Sequence, residues 1–238
     1  MTLATKAQKI NNNSNERRRT NWLEQQEKAA VQWLCEHMPR FITSNMLTGL
    51  AITGSGGIFA ALLLARQQRG WLLLGIAGLF LQWLGDSLDG RLAYFRNRPR
   101  KWYGFALDIC ADWLSLCFVT AGLALYFPAL RFVPIILLAA YAGRMLIAAL
   151  AYKITDEYRI DSGKIGPTEG RIMMAAGLLL ELLVPGSLIW LAGFVTLLLL
   201  LIDLREFLQL LRGADARDRQ ERNWQSLKLD RHVIHAES

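Results

Sequence analysis

Four aspartates interrupt two otherwise apolar stretches of this 238-residue chain: Asp86 and Asp89 in one, Asp108 and Asp112 in the next. The first pair is spaced i, i+3 and the second i, i+4, so on helices each pair shares one face. A charged Asp near the centre of a membrane span costs roughly 2.5–3.5 kcal/mol, and four unpaired ones on the order of 10–14 kcal/mol. Protonation would remove the charge, but clustered neutral acids would still need partners. Lys and Arg within these two stretches offer too little positive charge at the same depth. A divalent cation would balance the carboxylates, and hard oxygen ligands favour Mg²⁺, Mn²⁺ or Ca²⁺ over zinc. Gly90, Ala93 and Gly104 are small enough for a bulky ligand to approach the backbone. Arg91, Arg96, Arg98, Arg100 and Lys101 crowd the segment between the pairs. Carboxylates, small residues and basic side chains together suit a diphosphate ligand. The plainer reading of the basic cluster is anchoring at a membrane face.

The elements that must position these residues follow from composition. Hydrophobic residues make up 53% of the chain and charged ones 20%, against about 45–50% and 25% in a soluble domain. The apolar residues gather into blocks at 71–84, 105–127 and 188–202, which excludes a disordered chain. Three Cys without Cys-x-x-Cys spacing exclude a disulfide scaffold. What remains is an all-α integral membrane protein. A span needs about 20 apolar residues, and six are expected, at 42–65, 70–95, 103–127, 129–152, 167–184 and 186–211. The fifth is short and opens with Gly166-Pro167-Thr168-Glu169, suited to a helix start. Val184-Pro185-Gly186 separates it from the sixth.

Six spans put both termini on one side. Of the 27 Lys and Arg, 23 fall in 1–41, 91–101, 153–171 and 205–238. Arg66, Arg69 and Arg131 fall opposite, and Arg144 lies within the fourth span. This asymmetry predicts cytoplasmic termini and accounts for the net charge of +7 without nucleic-acid binding. It also brings all four aspartates to the cytoplasmic side at similar depth. Residues 1–20 read as a disordered polar N-terminus, with no signal peptide. Residues 21–40 read as an amphipathic juxtamembrane helix on the cytoplasmic surface. Asn21 and Glu24 form a capping box, Ala30, Leu34 and Met38 recur at i+4, and Trp22 and Trp33 add interfacial aromatics. Residues 41–211 form the transmembrane domain, and 212–238 a charged, loose cytoplasmic tail.

The run Asp86-x2-Asp89-Gly90-x2-Ala93-x10-Gly104-x3-Asp108-x3-Asp112 resembles the motif of the CDP-alcohol phosphotransferase family, matching seven of its eight fixed positions. Six spans after a surface helix are similar to that family over most of the chain. The resemblance implies transfer of a substituted phosphoryl group, phosphatidyl above all, from a CDP-linked lipid or alcohol donor to an acceptor alcohol. CMP would be released, and the setting would be phospholipid biosynthesis. It implies two Mg²⁺ or Mn²⁺ ions: Asp86 and Asp108 bridging both, Asp89 on one, and Asp112 on the other while serving as general base. It implies donor contacts at Asn45, Thr48, Gly90, Ala93 and Gly104, with Asn45-Met46-Leu47-Thr48 resembling the family's first-span donor segment. A homodimer in a bacterial inner (cell) membrane, in contact with membrane lipid, is also implied.

Two departures from the family pattern stand out. Tyr94 occupies the place of an Arg that contacts donor phosphates, and nine residues follow it before Gly104 where eight are commoner. The Tyr94 hydroxyl could donate to phosphate instead, and Arg96 or Arg91 could substitute from other helix positions. Arg144, Lys153, Lys164 and Glu169 are candidate phosphate or acceptor contacts. Against these stand pairing of Arg144 with a buried Asp, topological anchoring by the lysines and helix capping by Glu169. Glu181 and Asp203 read as paired or snorkelling, and the glycines of Gly54-Ser55-Gly56-Gly57 as close helix packing. Two other functions compete: a cation- or proton-coupled transporter, which also uses intramembrane carboxylates, and a catalytically degenerate scaffold. No internal repeat supports transport.

Overall fold

The computed structural model describes residues 24–155 and 167–236. The described residues form seven α-helices and contain no strand: α1 Glu24–His37, α2 Ser44–Ala65, α3 Leu72–Phe95, α4 Lys101–Tyr126, α5 Phe132–Thr155, α6 Pro167–Leu183 and α7 Ser187–Ala236. Local chemistry sets the boundaries. The Thr43 hydroxyl caps α2 by accepting from the Met46 amide at 3.3 Å. Asn97, left-handed at φ 53°, turns the chain out of α3. Gly186, at φ 88°, takes the turn between α6 and α7. Glu181 holds that turn. Its carboxylate accepts from the Gly186 and Leu188 amides, both at 2.9 Å, and from the Tyr126 hydroxyl at 3.2 Å. It is therefore satisfied although almost wholly buried.

Among the described residues, five helices are long and apolar enough to cross a membrane: Ser44–Ala65, Arg69–Phe95, Lys101–Tyr126, Phe132–Ile154 and Ser187–Gln220. This is the build of a multi-pass membrane protein. The expected fifth span is the 17-residue α6. At 1.5 Å per residue it stands at the lower end of the length that can cross a bilayer, and Glu169, Arg171 and Glu181 interrupt its apolar run. The tail expected to be loose beyond 212 instead continues α7, a helix of 50 residues. After Gly213 it has neither Gly nor Pro, and Arg and Ala, both good helix formers, are among its commonest residues. Arg219 pairs with Asp215 one turn back at 2.7 Å.

Helix α2 packs against α3 and α4, α4 against α5, α5 against α7, α7 against α6, and α6 against α3. The six helices thus close a ring. Helices α3 and α4, although joined by residues 96–100, hardly touch each other. One half of the ring is filled by Ile58, Leu62, Ala65, Leu72, Leu79, Leu123, Leu178 and Leu188. The aspartates stand in the other half, about two turns beyond Leu79 on α3 and about three turns before Leu123 on α4.

The α2–α3 crossing depends on missing side chains. A Cβ on Gly54 would stand 2.6 Å from both the Gln82 amide nitrogen and the Gly78 carbonyl oxygen. One on Gly85 would run into the Leu47 carbonyl. Close packing therefore holds for Gly54, whereas nothing lies within 4 Å of Gly56. Helix α1 rests on α3, burying Val31 and Cys35 against Leu47, Leu88 and Leu92. Leu34 and Met38 of the expected face flank that contact, but Ala30 and Trp33 are exposed. Burial pushes the Cys35 thiol above its usual range. Residues 21–23, which include Asn21 of the expected capping box, lie outside the described residues.

Candidate metal centre

Carboxylate oxygens of Asp86, Asp108 and Asp112 lie within 4.8 Å of one another. They come from α3 and α4, and meet because each helix turns its acidic face across the gap between them. Helix α2 supplies the backing that keeps the gap open. Asp89, one turn from Asp86, is held separately. Its Oδ2 lies 2.6 Å from the Thr48 hydroxyl and its Oδ1 2.5 Å from the Gly90 amide. All four aspartates are half-buried. The donor set of the cluster is carboxylate oxygen alone, which fits Mg²⁺ or Mn²⁺ and not a thiolate- or imidazole-preferring metal.

The expected donor-side residues lie on α2, α3 and α4. Gly90 faces open space, with nothing within 4 Å of where a Cβ would be. Ala93 is half-buried on the next turn of α3, and Gly104 lies in the first turn of α4. Asn45, at the start of α2, accepts from Arg100 Nη1 at 2.7 Å. Tyr94 is 67% exposed in the last turn of α3. On a helix it points about 80° away from Asp86, which is why it does not join the carboxylates.

Several basic candidates are engaged elsewhere. Arg96 donates to the carbonyls of Met38 at 3.3 Å, Pro39 at 2.8 Å, Arg40 at 3.5 Å and Ile42, clamping the α1–α2 connection. Arg91 lines a groove with Gln32, Cys35 and Phe95 on the α1 side of α3. Arg144 on α5 pairs with Asp203 at 2.9 Å and Glu206 at 3.8 Å on α7. Its partner is therefore Asp203 and not one of the four aspartates of α3 and α4, and Asp203 is paired as expected. Lys153 is exposed in the last turn of α5, and its carbonyl accepts from Arg217 at 3.4 Å. Glu169 is half-buried in the first turn of α6. Lys164 lies outside the described residues.

Two residues at the centre are absent from the sequence reading. Arg171 of α6 reaches Asp86 Oδ2 through Nη2 at 2.6 Å, and its Nε donates to Gln82 Oε1 at 2.6 Å. Charge at the depth of the carboxylates is thus present, but on a third helix rather than on α3 or α4. The signal was available in the topology, which starts the fifth span on the same side as the aspartates. Counting Arg171 among loop charges concealed it. Gln82 had only its position one turn before Asp86 to mark it.

No curated protein matches the chain in a sequence comparison. A family model, that of the CDP-alcohol phosphatidyltransferases, matches residues 41–199. This covers about two-thirds of the chain and includes the ring down to α7 together with the aspartate cluster. The oxygen cage, then, sits within a matched region long enough to settle descent, and the chain belongs to the CDP-alcohol phosphatidyltransferase family.

Proposed function

We propose that this protein is a membrane phosphotransferase of phospholipid biosynthesis. It would move a substituted phosphoryl group, phosphatidyl in the first place, from a CDP-linked donor to an acceptor alcohol and release CMP. The observation that carries this reading is the meeting of Asp86, Asp108 and Asp112 within 4.8 Å, in a member of a family of CDP-alcohol transferases. Asp86, Asp89, Asp108 and Asp112 would hold two Mg²⁺ or Mn²⁺ ions. When bound, these supply charge neutralisation for the donor diphosphate.

The chain's own groups do the rest. Asp112 takes the proton of the acceptor hydroxyl while that oxygen forms its bond to the donor phosphorus. The bond from phosphorus to the CMP oxygen breaks, and CMP leaves with that electron pair. Thr48 fixes Asp89, so this carboxylate is oriented before any ligand arrives. The open backbone at Gly90 and the small Ala93 and Gly104 leave room for the donor. Asn45, with Arg100 beside it, borders the same side. Tyr94 in place of the family's Arg alters how donor phosphates are held. Glu169, Lys153 and Lys164 are the acceptor-side candidates. The membrane location lets a lipid tail stay in the bilayer while the headgroup reacts. Cytoplasmic termini, a homodimer and a bacterial inner membrane complete the proposal.

The decisive experiment incubates purified protein with labelled CDP-diacylglycerol, Mg²⁺ and a panel of acceptors: glycerol phosphate, inositol, inositol phosphate, serine and choline. A parallel set uses soluble CDP-alcohols with diacylglycerol. CMP release and a new lipid product are expected in one combination. No CMP release in any would sink the proposal.

A further inference from the structure

Arg171 bonds an aspartate of the cluster from a helix that contributes no carboxylate to that cluster. Its guanidinium is held at two points, Nη2 on Asp86 and Nε on Gln82, both at 2.6 Å. Gln82 and Asp86 are one turn apart on α3, so they present a matched pair of acceptors. The Arg171 and Asp86 side chains are 15% and 22% exposed. The bond is thus shielded enough to count, unlike a surface ion pair.

We infer that Arg171 is an exchange counter-cation of the metal cage. It pairs with Asp86 before metal enters and turns to an anionic phosphate once metal has entered. The argument is one of charge. Four aspartates carry four formal negative charges, and Arg171 returns one. Two divalent ions would neutralise the four carboxylates unaided and leave the Arg171 charge in surplus beside them. A surplus cation in a half-buried site needs an anion, and the anion on hand is a ligand phosphate. Arg171 therefore weakens metal binding when no anion is present and strengthens it when one is. By linkage, metal and diphosphate each tighten the other. Arg171 thus has two alternative partners, Asp86 and the ligand phosphate, and the inference rests on the metal-dependent reading given above.

The test measures Mn²⁺ binding directly, from the electron paramagnetic resonance signal of free Mn²⁺. It uses the full chain in detergent, with and without CDP. Arg171→Gln is expected to bind Mn²⁺ about tenfold tighter than wild type in the absence of CDP, the size expected for loss of a competing charged hydrogen bond. Arg171→Lys, which keeps the charge, is expected to stay within about threefold of wild type. CDP is expected to tighten Mn²⁺ binding more in wild type than in Arg171→Gln. Equal or weaker Mn²⁺ affinity in Arg171→Gln, equal tightening in the Gln and Lys variants, or an equal CDP effect in wild type and Arg171→Gln would each overturn the inference alone. Absence of Mn²⁺ binding in both wild type and Arg171→Gln would overturn the metal cage, and the inference with it. Should Arg171→Gln not be recovered folded, Gln82→Leu removes one anchor and keeps the charge. A few-fold gain in Mn²⁺ affinity then supports the inference, and no gain overturns it.

Discussion

The Thr48 hydroxyl on α2 lies 2.6 Å from the Asp89 carboxylate on α3, joining residues 41 positions apart in sequence. A hydrogen bond to a charged group is worth about 1.5–3 kcal/mol. Thr48→Val should therefore lower the rate of CMP release by roughly tenfold or more, and lower the melting temperature in detergent because the carboxylate loses its partner. Thr48→Ser, which keeps the hydroxyl, should remain within a few-fold of wild type. Equal rates for the Val and Ser variants would show that this bond does not orient the site.

Asp112 is assigned as general base. Asp112→Asn keeps the shape and one acceptor oxygen but cannot take a proton. Turnover should fall by about 10²–10⁴-fold, while CDP-donor affinity, measured by calorimetry, should change by no more than a few-fold. Near-normal transfer by this variant would remove the assignment.

Activity should vanish in excess EDTA and return on adding Mg²⁺ or Mn²⁺ beyond the chelator. The cage offers only carboxylate oxygens, so Zn²⁺ should restore less. Full activity in chelator would contradict a metal role for the cluster.

Gly54 tests the scaffold rather than the chemistry. A methyl group there would meet α3 backbone at 2.6 Å, and backbone cannot yield as a flexible side chain can. Gly54→Ala should cost about 1–3 kcal/mol and lower the melting temperature in detergent. Gly56→Ala, which meets nothing within 4 Å, is the matched control and should be close to neutral. Similar losses at both positions would mean that helix propensity, not the crossing, is being read.

Arg144 and Asp203 tie α5 to α7 with side chains 14% and 11% exposed. Removing one partner of a buried pair costs about 3–5 kcal/mol, so Arg144→Met should destabilise strongly. Combining it with Asp203→Leu should recover most of the loss. Recovery of activity along with stability would make Arg144 a structural tie. Recovery of stability alone would return it to the phosphate-binding candidates.

The helical class, the pairing of aspartates on two helix faces and the oxygen character of the cage were all legible in the sequence. Helix periodicity and apolar block length are local properties, and carboxylate spacing is local too. Tyr94 could be flagged because a motif names a position. Its direction, about 80° off the Asp86 face, follows from the same helix geometry. Other features were not legible. The apolar count of the short α6 does not show how its charges are used. The helix beyond 212 looked like a loose tail because a run of charges reads the same way whether solvated or helical.

The sequence by itself determined that each pair of aspartates shares one helix face, since i, i+3 and i, i+4 spacing leaves little choice. Only the tertiary structure decided what else would meet them. Thr48 reaches Asp89 from α2, and Arg171 reaches Asp86 from α6, because six helices close a ring in which α3 and α4 stand apart. Those partners lie 41 and 85 residues away, and the closure that joins them depends on packing contacts such as Gly54 against Gly78. The glycines around Gly54 mark close packing, but no local pattern names the helix that they meet.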